Sequence, residues 1–272
     1  MTVEKMLDIL EQNSKPSVGI TLDENAVGRS YFGGIPELPV GVEYPKFECS
    51  TFEDDKIKLR PLHFMAQIDC AELAEFDKSG LMPKKGRLLF FYRCDSNVWG
   101  FDPADKGVAR VIYCDGKGVK PEISEEITVF PKIPIKFSEN VSYPDIENLE
   151  RLMGEKVDCE IYQAALSRLD DGYGRDRHKM TGFADVMQNT MELECELVSR
   201  GFYLGNGYPK LDDFAKIARD SLDDWVLLFQ LSTVENDEFE LMFGDCGRIY
   251  FYIRKSDLAE CRFDRVWMIL QC

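Results

Sequence analysis

Two histidines, His63 and His178, and nine cysteines are the residues of this 272-residue chain best suited to nucleophilic or metal chemistry. A zinc site needs three or four converging ligands, usually announced by a paired spacing such as Cys-x-x-Cys. Cys49, Cys70, Cys94, Cys114, Cys159, Cys195, Cys246, Cys261 and Cys272 are odd in number and scattered. They read as small buried residues or inert thiols of a reducing compartment, with no metal and no cofactor. A Cys-His nucleophile would have to join His178 to Cys246, in the tight turn Gly244-Asp245-Cys246-Gly247. The carboxylate of Asp245 beside it opposes a thiolate. His63 falls in an apolar run and reads as a satisfied core residue. Acid pairs at Asp54-Asp55, Asp212-Asp213 and Asp223-Asp224 would serve glycoside chemistry only by converging in a cleft. In loops and on helix flanks they read as solvated charge. The inventory leans away from an enzyme.

Two sets of charged residues remain as binding candidates. Asp69, Arg87, Asp245 and Arg248 stand at the ends of apolar runs and could line a shared cleft or form ion pairs. Arg175, Arg177 and His178 close a polar, glycine-bearing loop and suit an anion.

These residues need elements to hold them, and the chain supplies enough apolar material for a core: 44% hydrophobic and 12% aromatic residues. Lys and Arg number 33 against 49 Asp and Glu, a formal charge of -16. A surface of that sign repels phosphate backbones and anionic bilayers, so nucleic acid and membrane are not expected partners. No run approaches the roughly 20 apolar residues that cross a bilayer. The first residues carry charges every few positions and lack the apolar centre of a secretory signal, which points to a cytoplasmic protein.

Val3, Met6, Leu7 and Leu10 share a helical face. Residues 17–50 are turn-rich around Gly33-Gly34-Ile35-Pro36-Glu37-Leu38-Pro39. Strands are expected at 62–68, 87–92 and 109–113. Residues 127–137 are extended, and Pro131 and Pro134 predict a sheet edge there. Helices are expected from about 145 to 169, broken near Gly154, and over 211–221. The remainder from Trp225 is rich in strand formers. These patterns give an α+β fold, mainly antiparallel sheets with flanking helices.

The two halves also resemble each other. Gln67 lies in Phe64-Met65-Ala66-Gln67-Ile68 and Gln230 in Leu227-Leu228-Phe229-Gln230-Leu231. Each run is followed at similar distance by a Gly-Arg strand opener, Gly86-Arg87 and Gly247-Arg248. One domain over 1–272 is expected, built from half-repeats of about 20–140 and 145–272 with pseudo-twofold symmetry.

With those motifs in place, the chain resembles the YwqG-like family of bacterial proteins, a domain of unknown function. The likeness rests on Gly33-Gly34-x-Pro36-x-Leu38-Pro39, Gln67-Ile68-Asp69, Pro83-x-Lys85-Gly86-x-Leu88-x-Phe90-Phe91 and Gly182-Phe183. The tail from Gly244 through Arg248 to Val266-Trp267-Met268-Ile269-Leu270-Gln271-Cys272 is its most specific part. Ser232 stands where the family usually has an aspartate after its second Gln-Ile, and Gly182 to Thr190 departs from the usual proline-bearing stretch. The resemblance implies a soluble intracellular α+β protein and no established reaction. Two functions follow as expectations. The first is a non-catalytic protein- or peptide-binding module, in its sharper form a neutralising partner of a basic toxin. The second is a small-ligand binder or enzyme using a cleft between the halves.

Overall fold

The computed structural model describes residues 1–96, 98–170, 177–236 and 239–272. The chain begins α1 (Val3–Gln12), β1 (Lys15–Leu22), β2 (Tyr31–Phe32), β3 (Leu38–Pro39), β4 (Lys46–Cys49), β5 (Lys58–Pro61) and β6 (His63–Asp69). It continues through α2 (Cys70–Ala74), β7 (Arg87–Tyr92), β8 (Ala109–Cys114), β9 (Gly118–Val119), β10 (Ile133–Ser142), α3 (Ile146–Met153) and α4 (Cys159–Leu169). Next come β11 (His178–Met180), α5 (Glu192–Ser199), α6 (Phe214–Asp224), β12 (Trp225–Ser232), β13 (Val234–Asn236) and β14 (Phe239–Leu241). The last elements are β15 (Arg248–Arg254), α7 (Lys255–Ala259) and β16 (Trp267–Gln271).

One ten-stranded sheet carries the structure, in the order β16-β15-β12-β11-β1-β10-β2-β6-β7-β8, with every pairing antiparallel. Aromatic and β-branched residues fill β6, β7, β12 and β15, which explains why these runs are strands. The sheet curls until its two ends face each other, a nearly closed, barrel-like form. Phe90 of β7 packs 4.6 Å from Phe229 of β12 and 5.2 Å from Phe251 of β15. Leu270 N of β16 donates to Trp99 O, beyond the end of β7, at 3.0 Å. The inward cluster joins strands from both ends, including Ile68, Leu88, Phe90, Leu228, Ile249 and Met268.

Three further clusters lie around it. Helices α5 and α6 cover Trp225, Leu227, Tyr250, Tyr252 and Trp267. On the other half, Tyr31, Phe64, Leu89 and Phe91 pack with Leu38 and Leu62, under the small sheets β3-β9 and β4-β5. Met6 and Leu10 of α1 join Leu149 of α3 and Tyr162 and Leu166 of α4. Asp145 and Asp158 cap α3 and α4 with their carboxylates, and Gly154, at φ 72°, ends α3 in the left-handed conformation glycine tolerates.

Several expectations are corrected. The stretch read as turn-rich, 17–50, opens instead within the long central strand β1, which covers Lys15–Leu22. The proline-bearing segment is no edge: β10 lies between β1 and β2, pairing with β1 over Ile135–Ser142, beyond both prolines. The helix expected over 211–221 runs three residues later at each end. Helix α5 was not foreseen.

The strand order is balanced about the β1–β10 pair. Gln67 lies opposite Tyr31, and Gln230 lies opposite Lys179. Each glutamine strand carries a register shift at the residue two positions before its glutamine, between Phe64 and Ala66 and between Leu227 and Phe229.

Candidate functional site

The site is built on the outer face of β11, β12 and β15. Lys179 and Gln230 face each other across the β11–β12 pair while Met180 and Leu231 turn into the core. After β11 the chain reverses through Thr181 and Gly182, at φ 60° and 73°, so that residues 183–188 fold back over the strands. A side chain at Gly182 would stand 2.1 Å from Ser142 Oγ, so that close approach requires glycine. Amides of two buried glutamines then pin the segment. Asp185 N donates to Gln230 Oε1 at 2.8 Å, and Met187 N and Gln188 N donate to Gln271 Oε1. Arg248 and the Tyr250 hydroxyl both donate to Asp185 O, at 2.8 and 2.7 Å.

The Asp185 carboxylate is the hub. Lys179 Nζ reaches it at 2.8 Å, Arg177 at 2.6 Å and Gln230 Nε2 at 3.0 Å. Arg177 reaches Asp170 as well. Burial pushes the Asp185 carboxyl up, but Lys179 and Arg177 outweigh it and hold the group below the usual carboxylate range. Burial lowers Lys179, with Asp185 opposing.

Beside this hub lies a cleft of about 410 Å³, walled on its other side by Tyr143, Asp145 and Ile146 leading into α3, and by Cys159 and Tyr162 of α4. Asp145 accepts from Glu147 N, Asn148 N and Asn148 Nδ2. Burial, and after it the carboxylate of Glu192, lifts its carboxyl to about 7. A group titrating there can exchange a proton with whatever occupies the cleft.

The first half carries a parallel arrangement. Gln67 Nε2 donates to Arg29 O at 3.0 Å, and Gln230 Nε2 donates to Arg177 O at 3.0 Å. Asp69 N donates to Ser30 Oγ, as Ser232 N donates to His178 Nδ1. Glu37, six residues after Tyr31, pairs with Arg87, whereas Asp185, six after Lys179, receives Arg248 at its carbonyl. Gly33 and Gly34 hold the positive φ of Thr181 and Gly182.

The sequence candidates are redistributed by this geometry. Asp69 and Arg87 are cross-strand neighbours, yet Asp69 caps α2 and pairs with Arg29 while Arg87 pairs with Glu37. Arg248 stands in the other half, and Asp245 is exposed in the turn before it. The cleft that Arg248 lines takes in none of the other three. Arg177 and His178 line a groove with Thr21 and Val234, and the Arg177 guanidinium is paired there with Asp170 and Asp185. His178 Nδ1 accepts from Ser232 N, and Arg175 lies outside the described residues. Trp267 is structural, its indole donating to Gly100 O at 2.8 Å. Lys179, Asp185, Asp145 and Glu192 were not singled out. The Pro144-Asp145-Ile146-Glu147 capping pattern was readable, but the burial of that carboxylate was not.

His63 supplies a Cys-His pair that spacing did not suggest, with Cys94 Sγ 3.1 Å from its Nδ1. Burial pushes the thiol up to about 12 and the imidazole down to about 4, so both stay neutral and no thiolate forms at ordinary pH. Among the described residues, no group of three or more His, Cys, Asp or Glu side chains could hold a metal ion, and no helix is long and apolar enough to cross a membrane.

A family model described as a domain of unknown function, DUF1963, matches residues 30–272. No curated protein matches the chain.

Proposed function

This chain belongs to the DUF1963 family of domains of unknown function, and from that premise we propose that it is a binding module whose ligand sits in the cleft between α3–α4 and residues 183–188. One observation carries this reading: the floor of the cleft is held in place by the chain's own hydrogen bonds and ion pairs. Gln230 and Gln271 fix the backbone of residues 185–188, and Lys179 and Arg177 fix the Asp185 carboxylate. A preorganised wall spares the ligand the entropy of ordering it.

A protein or peptide segment suits an open cleft on an acidic chain, whose field draws basic partners and repels nucleic acid and anionic lipid. A basic toxin, masked by this domain, is the sharpest form of that partner. A second reading, a small ligand or substrate in the same cleft, is favoured by Asp145, placed to accept or donate a proton near neutrality. The paired contacts of Gln67 and Gln230 support descent from an internal duplication, with repeats at about 30–142 and 177–272. In that scheme β1 stands in for the strand that would follow β16. The motif likeness supports the YwqG-like group within the family, and with it a bacterial, cytoplasmic setting.

A thermal-shift screen against peptides, metabolites and metal salts of every charge class tests the cleft reading. Saturable upward shifts are expected from at least one class, and they should vanish in Gln163→Trp, which crowds the cleft from an exposed position on α4. A flat response across the panel, or shifts indifferent to Gln163→Trp, refutes it.

A further inference from the structure

Resting on that reading of the cleft, we propose that the ligand group it takes is a cation, an ammonium or guanidinium docked on Asp145, and that its binding expels a proton. The positive side chains in the cleft are already turned to protein oxygens: Lys179 and Arg177 to Asp185, Arg177 also to Asp170, and Arg248 to Asp185 O. An anionic ligand would compete with Asp170 and Asp185 for these charges. Asp145 is the opposite case. Asp145 lines the cleft, its side chain is nine-tenths buried, and among the described residues its carboxylate accepts only from amides and pairs with no cation.

The surroundings of Asp145 show the same deficit. Asn148 Nδ2 donates to Asp145, and among the described residues Asn148 Oδ1 is buried without a donor. Glu192, at the start of α5, lies against the same amide, and its Oε2 has no hydrogen-bond partner among the described residues. The Tyr252 hydroxyl of β15 is buried near both carboxyls and is also unpartnered. Such orphaned polar atoms in a native interior need a reason.

The charged groups around them come from four elements. Glu147 on α3 and Glu194 on α5 add negative charge. Lys15 of β1 and Arg151 of α3 act on Glu192, and the Lys15 ammonium rests over the Phe183 ring at 4.0 Å. Lys179 and Asp185 of the opposite wall neutralise each other. Two buried carboxyls joined by one amide cannot both ionise cheaply, so a proton is retained between them. Asp145 titrates at about 7, and burial raises Glu192 as well. A cation entering from the cleft supplies the missing charge and releases that proton to solvent.

Isothermal titration with Nα-acetyl-arginine amide, Nα-acetyl-lysine amide and spermidine tests this, with Nα-acetyl-glutamine amide and Nα-acetyl-glutamate amide as neutral and anionic controls. The two amino-acid amides stand for a peptide side chain and spermidine for a free polyamine. Only the cations should bind, about tenfold more tightly at pH 8 than at pH 6, because each pH unit below the carboxyl pKa costs about a factor of ten. At pH 6, titration in two buffers of different ionisation enthalpy should reveal one proton released per site. Asp145→Asn and Asp145→Ser both keep a good helix cap. Each should weaken the cation at least tenfold and abolish the pH dependence, with thermal midpoints reporting that the variants fold. Neutral-probe binding as tight as the cations', affinity independent of pH, or full binding by both variants overturns the inference. If the neutral or anionic probe binds and is blocked by Gln163→Trp, the cleft reading survives while the cation fails. If no probe binds at millimolar concentration, both fail.

Discussion

Replacing Phe90 by alanine should destabilise both ends of the sheet at once. The ring is wholly buried and belongs to β7, yet it packs on Phe229 and Phe251, from the other end of the strand order. Truncating a buried phenylalanine costs about 3–5 kcal/mol, the loss of transfer energy plus the cavity left behind. Two aromatic pairs worth about 0.5–1.5 kcal/mol each place this residue toward the upper part of that range. At about 2–4 °C per kcal/mol for a chain near this size, the midpoint should fall by roughly 6–20 °C. Urea unfolding followed in parallel by far-UV circular dichroism and tryptophan fluorescence reads the effect. Trp225 and Trp267 report on the C-terminal strands, so their signal should shift as far as the dichroism does. If the fluorescence midpoint stays put while the dichroism midpoint falls, the ends unfold separately and the shared core is refuted. A loss below about 1 kcal/mol would show that the ring fills no essential space.

Two other outcomes follow from the buried polar groups. Gln230→Leu should cost about 1–3 kcal/mol by denaturant titration, because it strands Asp185 N and Arg177 O; Gln67→Leu should cost less, since Arg29 is exposed. Asp145 makes stability depend on pH: its folded carboxyl, raised from 3.8 to about 7, contributes stability fully present below pH 4 and lost as pH rises to 7. The shift corresponds to roughly 4 kcal/mol, so Asp145→Asn should make the wild-type decline between pH 4 and 7 shallower, the raised carboxyls of Glu192 and Glu194 keeping the rest of it, and an equal slope in both proteins would remove Asp145 as a source.

Strands whose residues alternate little were legible in the sequence, because β6, β7, β12 and β15 are buried on both faces and read as continuous apolar runs, two of them, β7 and β15, opened by Gly-Arg. The two glutamines were legible for the same reason, as polar exceptions within such runs. Helix α5 was not. Glu192, Glu194 and Glu196 fall at every second position, a spacing with no helical period, yet all three are buried. Glu196 is satisfied there by Arg254, Arg200 and the Trp225 indole. Tertiary partners, invisible in the sequence, decide that element. The edge expected at β10 failed because a proline obstructs pairing only at its own nitrogen, and this strand continues well past Pro134. The cleft was hidden because Asp145, Lys179 and Asp185 come together only after β11 folds beside β1.

The position of β1 governs the timing of assembly. Its neighbours in the sheet, β10 and β11, begin at residues 133 and 178, so during synthesis the strand emerges with nothing to pair with. At about 5–20 residues per second the wait for β10 alone is roughly 6–20 s. A bare strand exposed that long invites intermolecular pairing, and Lys15, Pro16 and Gly19 within it are the kind of residues that discourage it. The same strand lies before residue 30, where the family match begins. A polypeptide started there would divide the sheet at its middle and leave β10 and β11 as open edges.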